Sequence, residues 1–228
     1  MEPRDARDRK ITSDLAAYYS RRASEYESIY RKPERQADLA TAASYLQQIF
    51  QNKRVLEAAC GTGYWTQGIA GAAASVLAVD ISREVLQIAS SKNYPHNNVE
   101  FLQADIFELN ARAPFEALFC GFLWSHIRLS ALEQFVRALN RQVINNGTVV
   151  LMDNRYVPGS STPIAETDAE RNTWQLRQPQ DGTTHRVLKN FPSAALLHKM
   201  AGISGRKIEV VELDYFWILV YRCEHRGY

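Results

Sequence analysis

"VLEAACGTGYWT" (residues 55–66) begins with apolar residues, turns through Gly61 and Gly63, and ends in small, polar Thr66. A strand that feeds a glycine turn and then a helix N-terminus lets backbone approach a ligand closely and points N–H groups at negative charge. Glu57 lies in the strand, ahead of the glycines. The next strand-like run, "SVLAVDI" (75–81), ends in Asp80, where a carboxylate suits ribose hydroxyls. A cap for the following helix is the other use of Asp80, and Ser82 is the N-cap expected there. Thr66 occupies the place of the third glycine in G-x-G-x-x-G, which counts against a dinucleotide.

The pattern repeats outward from this turn. "RVLEAAC", "SVLAVDI", "VEFLQADI" (99–106), "FEALFCGFL" (115–123) and "TVVLMDN" (148–154) are short apolar runs that predict strands. Between them "YWTQGIAGAA", "SREVLQIASS" and "LSALEQFVRALNRQV" have helical spacing, the last with Leu132, Phe135, Val136, Leu139 and Val143 on one face. Such alternation predicts an α/β fold, a mostly parallel sheet with helices on both faces. "KIEVVELDYFWILVYRC" leaves no room for a crossover helix and predicts an antiparallel pair at the sheet edge. Two segments lie outside the alternation. In "ITSDLAAYYSRRASEYESIY" the spacing of Tyr19, Arg22, Tyr26 and Tyr30 predicts one face of a helix. "TWQLRQPQDGTTHRVLK" predicts a hairpin turning at Pro179-Gln180-Asp181-Gly182, followed by a helix in "PSAALLHKMAG". We therefore expect a single domain over 1–228: an N-terminal helical lid (1–50), a ligand-binding core (51–154), a small β flap (155–192), then a last helix and edge hairpin (193–228).

Composition narrows the function. The 27 basic and 25 acidic side chains nearly cancel, so no excess charge points to nucleic acid. The charged start and the lack of a long apolar run predict a cytoplasmic protein with no membrane partner. Cys60, Cys120 and Cys223 show no CxxC spacing, and neither a disulfide framework nor a metal site is expected.

Taken together, "VLEAACGTGYWT", "VLAVDIS", "LQADIFEL" and "FEALFCGFLWSHI" resemble the four motifs of the class I S-adenosylmethionine-dependent methyltransferases, a likeness that runs from about Tyr18 to Tyr221. The resemblance implies a Rossmann-like, seven-stranded sheet whose last strand is antiparallel, with S-adenosylmethionine as cofactor and S-adenosylhomocysteine as product. It implies that Glu57, Gly61 and Gly63 hold the methionine half, Asp80 the ribose, Ile81 the adenine face, and Asp105 with Ile106 the adenine edge, beside Cys120 at the fourth motif. Ala59 departs from the glycine that many members carry. The tyrosine stripe is similar to the helix that closes over the cofactor in small-molecule members. Tyr18, Arg22 and Tyr26 would then meet the methionine carboxylate, plain packing being the other reading of the stripe.

Cys120-Gly121-Phe122-Leu123 replaces the Asn-Pro-Pro-Tyr motif of the branches that methylate DNA and protein amides. "GFLWSHI" instead sets Trp124 and His126 past the strand end, where ligands sit in such sheets. His126 is the candidate base, or else a pocket wall; Asp153 orients it or caps a strand. Tyr156 joins Tyr18, Tyr19, Phe122, Trp124 and Trp174 in an aromatic supply that suits a flat aromatic or heteroaromatic acceptor. The expected reaction is direct in-line methyl transfer to N or O of such a small molecule. Arg177, Arg186 and Lys189 are the one hint of an RNA-modifying alternative; they serve otherwise as solvated charges or as the contact of a homodimer. A cofactor-binding regulatory protein without catalysis is the third reading.

Overall fold

Residues 55–58 form a strand covered on both sides because neighbouring side chains enter different cores. Val55 packs with Leu39, Ala42, Leu46 and Phe50 on one face of the sheet, whereas Leu56 joins Leu132, Phe135, Val136 and Leu139 on the other. Central strands consequently read as continuous apolar runs. In this computed structural model, which describes residues 4–22, 26–110, 114–178 and 182–225, they are β1 (Arg54–Ala58), β2 (Ser75–Asp80), β3 (Val99–Gln103), β4 (Phe115–Gly121) and β5 (Val143–Asn154). A small sheet of β6 (Glu166–Thr167), β7 (Thr173–Arg177) and β8 (His185–Leu188) follows, then β9 (Gly205–Glu212) and β10 (Phe216–Cys223). The main sheet has seven strands in the order β3-β2-β1-β4-β5-β10-β9. The first five are parallel, and β10 runs antiparallel to both β5 and β9.

The helices are α1 (Ala6–Arg21), α2 (Gln36–Phe50), α3 (Tyr64–Ala70), α4 (Arg83–Ser90), α5 (Leu132–Asn140) and α6 (Ala194–Ala201). Ser82 and Ser193 cap α4 and α6 through their hydroxyls. Strand order reverses between β1 and β4, so the C-terminal ends of β1, β2, β4 and β5 open onto one crevice. Among the described residues no helix is long and apolar enough to cross a membrane.

Two expectations change and a third holds. The helix expected through Tyr30 ends at Arg21, and Tyr26–Arg31 forms a 3-10 turn, because Tyr30 is drawn inward to stack on Tyr64 with ring centroids 3.8 Å apart. Val143 opens β5 instead of extending α5, the chain turning where the Gln142 carbonyl accepts from the Phe115 N–H at 2.7 Å. The hairpin of β7 and β8 forms, with Gly182 at φ +77°, while 179–181 of its expected turn lie outside the described residues.

Candidate functional site

The turn after β1 is built on left-handed backbone: Ala59, Gly61 and Gly63 have φ of 57°, 56° and 80°. At Gly63 a Cβ would lie 2.6 Å from the Tyr94 hydroxyl oxygen and 3.1 Å from Ala89 Cβ, so glycine is required there. Ala59 adopts the same region with a side chain, at a cost of about 1–2 kcal/mol. Strain held at a strand end marks a place where backbone direction matters more than local stability. Around the turn two carboxyls are buried. Asp80 accepts from the Gly61 N–H and the Ser82 N–H, each at 2.9 Å, which ties the ends of β1 and β2 together. Burial raises its pKa, and those backbone bonds oppose the rise. Glu57 is 2% exposed and its Oε2 has no partner. Burial pushes its pKa up to about 8, with Thr66 opposing and Asp80 adding to the rise.

On the adenine side, Ile81 is exposed beyond β2 while Ile106 is buried against the core. Asp105 pairs with Arg4 at 2.8 Å and accepts from the Phe107 N–H at 3.0 Å; the Arg4 guanidinium lies over the Phe107 ring. The N-terminal segment thus reaches the place expected for the adenine edge. Its helix α1 is fastened by Arg128, which pairs with Asp5 and Asp8 of that segment and with Glu170 of the flap at 2.7–3.0 Å.

Beyond β4 the chain turns at Phe122, φ 60°, then forms a 3-10 turn over Trp124–His126. Successive side chains of such a turn point about 120° apart, and the three residues go three ways. Trp124, expected to face the acceptor, is 2% exposed and packs on Phe135 and Trp217 in the core. Ser125 accepts from Lys189 Nζ at 2.6 Å, and its N–H donates to Asp153 at 2.9 Å. His126 turns toward α1. Its Nδ1 is 2.6 Å from the Leu188 carbonyl, which only accepts, so Nδ1 carries the proton; Nε2 then accepts from the Tyr19 hydroxyl at 3.1 Å. Burial, with Lys189 and Arg177 close by, holds the imidazole pKa well below its usual value. Asp153 is fully buried and pairs with Lys189 at 2.9 Å; burial would raise its pKa, but Lys189, with the Ser125 N–H, outweighs that and lowers it.

Tyr19, His126, Arg177 and Lys189 therefore meet, and they line a cavity of about 350 Å³ between α1, the flap and the end of β5. Tyr18 and Arg22 also line it, joined by a 2.6 Å hydrogen bond. Tyr156 does not: it stands outside, against Phe191. Trp174 lines a separate cavity beyond α1. Cys120 is buried at the end of β4, where burial holds its thiol far above the usual range. The Tyr26 side chain lies outside the described residues. Of Arg177, Arg186 and Lys189, only Arg186 stays at the surface, paired with Glu166 at 3.0 Å; Arg177 and Lys189 point inward, away from the solvated or dimer-contact role expected of them. Lys32 and Arg35, which join the same cavity, carried no sequence signal because they stand in a charged stretch that looks solvated.

The profile of the Methyltransferase domain family matches residues 55–147. No curated protein sequence matches the chain. Among solved structures, the DhpI–SAH complex is 28% identical with a TM-score of 0.75, covering 95% of this chain and 98% of that one. The DhpI–SAM–HEP complex is alike at 28% identity and 0.75 over 92% and 96%. The 1,6-didemethyltoxoflavin-N1-methyltransferase of Burkholderia thailandensis, with 1,6-didemethyltoxoflavin and S-adenosylhomocysteine bound, shares the fold at 14% identity and TM-score 0.65 over 99% and 94%. The matched span holds the strand, turn and helix that build the cradle, so residues 55–147 carry a methyltransferase domain, and the whole chain is similar to the DhpI structures, solved with SAH or SAM, over nearly their full length.

Proposed function

We propose that the protein transfers the methyl group of S-adenosylmethionine to a small molecule held in the 350 Å³ cavity under α1 and the flap. The observation that carries this is the cavity itself, which opens beside Phe122 at the strand ends and has a volume suited to a metabolite. The residues at the glycine turn fit the cofactor. Glu57 offers an unpartnered carboxyl oxygen to a cationic ammonium, Asp80 a carboxylate at the end of β2, and the left-handed turn a close backbone approach. Bound there, the cofactor supplies an electrophilic methyl on a sulfonium.

The rest is positioning. Ala6–Arg21 and the β6–β8 flap roof the cavity and exclude water, Arg128 fastening one to the other. His126, with both nitrogens engaged, acts on an acceptor only through the Tyr19 hydroxyl. Tyr18, Tyr19, Phe122 and Phe191 remain to receive a flat acceptor, without Trp124 and Tyr156. An RNA substrate is disfavoured because Arg177 and Lys189 face inward and leave no basic platform on the flap. Incubating cell metabolites with purified protein and labelled S-adenosylmethionine tests the reading. Label is expected in a small-molecule product one methylene heavier than its precursor. Label confined to RNA would refute the small-molecule assignment, and tight S-adenosylhomocysteine binding without transfer to any extract would refute catalysis.

A further inference from the structure

The cavity wall carries positive charge and no compensating carboxylate. Lys32, Arg35, Arg177 and Lys189 line it together with Arg22, and among the described residues no aspartate or glutamate does. Lys189 is balanced by Asp153 beneath it. Lys32, Arg35 and Arg177 form no ion pair among the described residues, and their hydrogen bonds end on neutral oxygens. Lys32 donates to the Ser160 carbonyl at 3.2 Å, and Arg35 to the Ser160 hydroxyl at 3.1 Å and the Asn154 amide oxygen at 3.4 Å. Arg177 donates twice to Gln175 Oε1, at 2.8 and 3.1 Å, and once to the Tyr19 hydroxyl at 3.1 Å. Arg35 is 9% exposed and its Nε has no partner. Glu34 and Asp38 act on Arg35 from outside the cavity wall without forming an ion pair, and buried charge with no counter-charge in contact is unfavourable, the more so where a cationic sulfonium has to approach. A guanidinium fork matches carboxylate and phosphate oxygens. The only imidazole here is neutral, with its basic nitrogen already taking the Tyr19 proton. Among the described residues that line the cavity, no aspartate, glutamate or unengaged imidazole is placed to deprotonate a hydroxyl directly.

We propose that the acceptor is a small oxyanion bearing a phosphate, phosphonate or carboxylate group, held by Lys32, Arg35 and Arg177, and that one of its ionised oxygens receives the methyl group. This rests on the cavity being the acceptor site of the transfer proposed above. A lone pair on the ionised oxygen forms the O–C bond as the C–S bond breaks, its electrons staying on sulfur. The sulfonium charge and one negative charge of the acceptor vanish together, leaving a methyl ester and a neutral thioether, with no proton released when the acceptor is fully ionised.

The test titrates protein saturated with S-adenosylhomocysteine, by calorimetry, with inorganic phosphate, methylphosphonate, acetate and, as the neutral aromatic, phenol. At least one oxyanion should bind at millimolar concentration, and the arm that binds tells tetrahedral from planar anions. Arg177→Gln should weaken that binding about tenfold or more, the loss of charge-assisted hydrogen bonds. Lys32→Gln, at a half-buried rim position where folding is spared, should do the same while S-adenosylhomocysteine affinity holds in both variants. Phenol binding without any oxyanion binding would overturn the proposal, as would oxyanion binding indifferent to both variants. In turnover at a pH where every ionisable oxygen of the binding oxyanion is already ionised, one proton released per methyl transferred would overturn the oxygen assignment. Failure of S-adenosylhomocysteine itself to bind would instead bring down the function on which the proposal rests.

Discussion

Replacing Glu57 by glutamine isolates the carboxyl at the end of β1. Its pKa stands at about 8 against an ordinary 4.5, burial being the largest cause. A carboxyl with a raised folded pKa keeps its proton in the native protein while the unfolded chain gives its proton up. Its contribution to stability is therefore complete below about pH 4.5, erodes as pH rises, and is fully lost above about pH 8. At pH 7 the gap of about 2.5 pH units corresponds to about 3 kcal/mol. Glu57→Gln removes the titration, so the cofactor-free variant should be more stable than the wild type by up to about 3 kcal/mol at pH 7, and by nothing near pH 4.5. For a chain of this size that raises Tm by up to about 6–12 °C at pH 7, which thermal unfolding at pH 5 and pH 7 reads directly. Cofactor binding supplies the second readout. A carboxyl that must ionise to meet an ammonium releases about 0.9 proton at pH 7 if its pKa is near 8. Calorimetry with S-adenosylhomocysteine in buffers of different ionisation enthalpy should show that release in the wild type. It should be absent in Glu57→Gln, which should also bind more weakly. Equal proton release in both proteins, or a stabilisation over the wild type no larger at pH 7 than at pH 5, would refute the reasoning.

Asp80→Asn keeps the size of a side chain that accepts from the Gly61 and Ser82 N–H groups; it should fold, and bind S-adenosylhomocysteine about tenfold or more weakly for the loss of charged hydrogen bonds worth about 1.5–3 kcal/mol. Unchanged affinity by calorimetry would remove Asp80 from the site. The amides of α1 should exchange faster than those of β1 in the cofactor-free protein and slow on binding S-adenosylhomocysteine. Arg128→Gln, by freeing Asp5, Asp8 and Glu170, should speed α1 exchange about tenfold or more. Rates indifferent to ligand would mean that α1 is a fixed wall.

Most of the sheet was legible because doubly covered strands announce themselves as unbroken apolar runs, and because Gly61 and Gly63 can be read as a turn without knowing what it faces. What escaped was set by tertiary contacts. The spacing of Tyr19, Arg22, Tyr26 and Tyr30 fits a helix, yet the stack of Tyr30 on Tyr64 overrides it. "WSH" reads as Trp124 and His126 set beside a ligand, yet a 3-10 turn sends Trp124 into the core, Ser125 onto the buried Lys189–Asp153 pair and His126 toward Tyr19. Placement after a strand end selects a neighbourhood; only the turn type selects which side chain enters it.

The charge of the acceptor cavity was hidden for a different reason. A net charge of +2 describes the whole chain, whereas the cavity gathers Arg22 from beyond α1, Lys32 and Arg35 from the 3-10 segment, Arg177 from β7 and Lys189 from beyond β8. Each alone reads as an ordinary surface cation. The orientation of β7 is the telling detail. Its apolar residues Trp174 and Leu176 alternate with Gln175 and Arg177, and hydrophobic burial alone would turn Leu176 inward. Instead Leu176 is 54% exposed, while Gln175 is buried and grips Arg177 beside Tyr19. Fully burying a leucine is worth about 1.5–3 kcal/mol, and the flap forgoes most of that to present an amide and a guanidinium to the cavity. A wall arranged in this way has only neutral partners within the protein and gains an anionic one when the cavity holds a negatively charged ligand, which joins the exposed Leu176 to Arg35 and Lys32, whose hydrogen bonds likewise end on neutral oxygens.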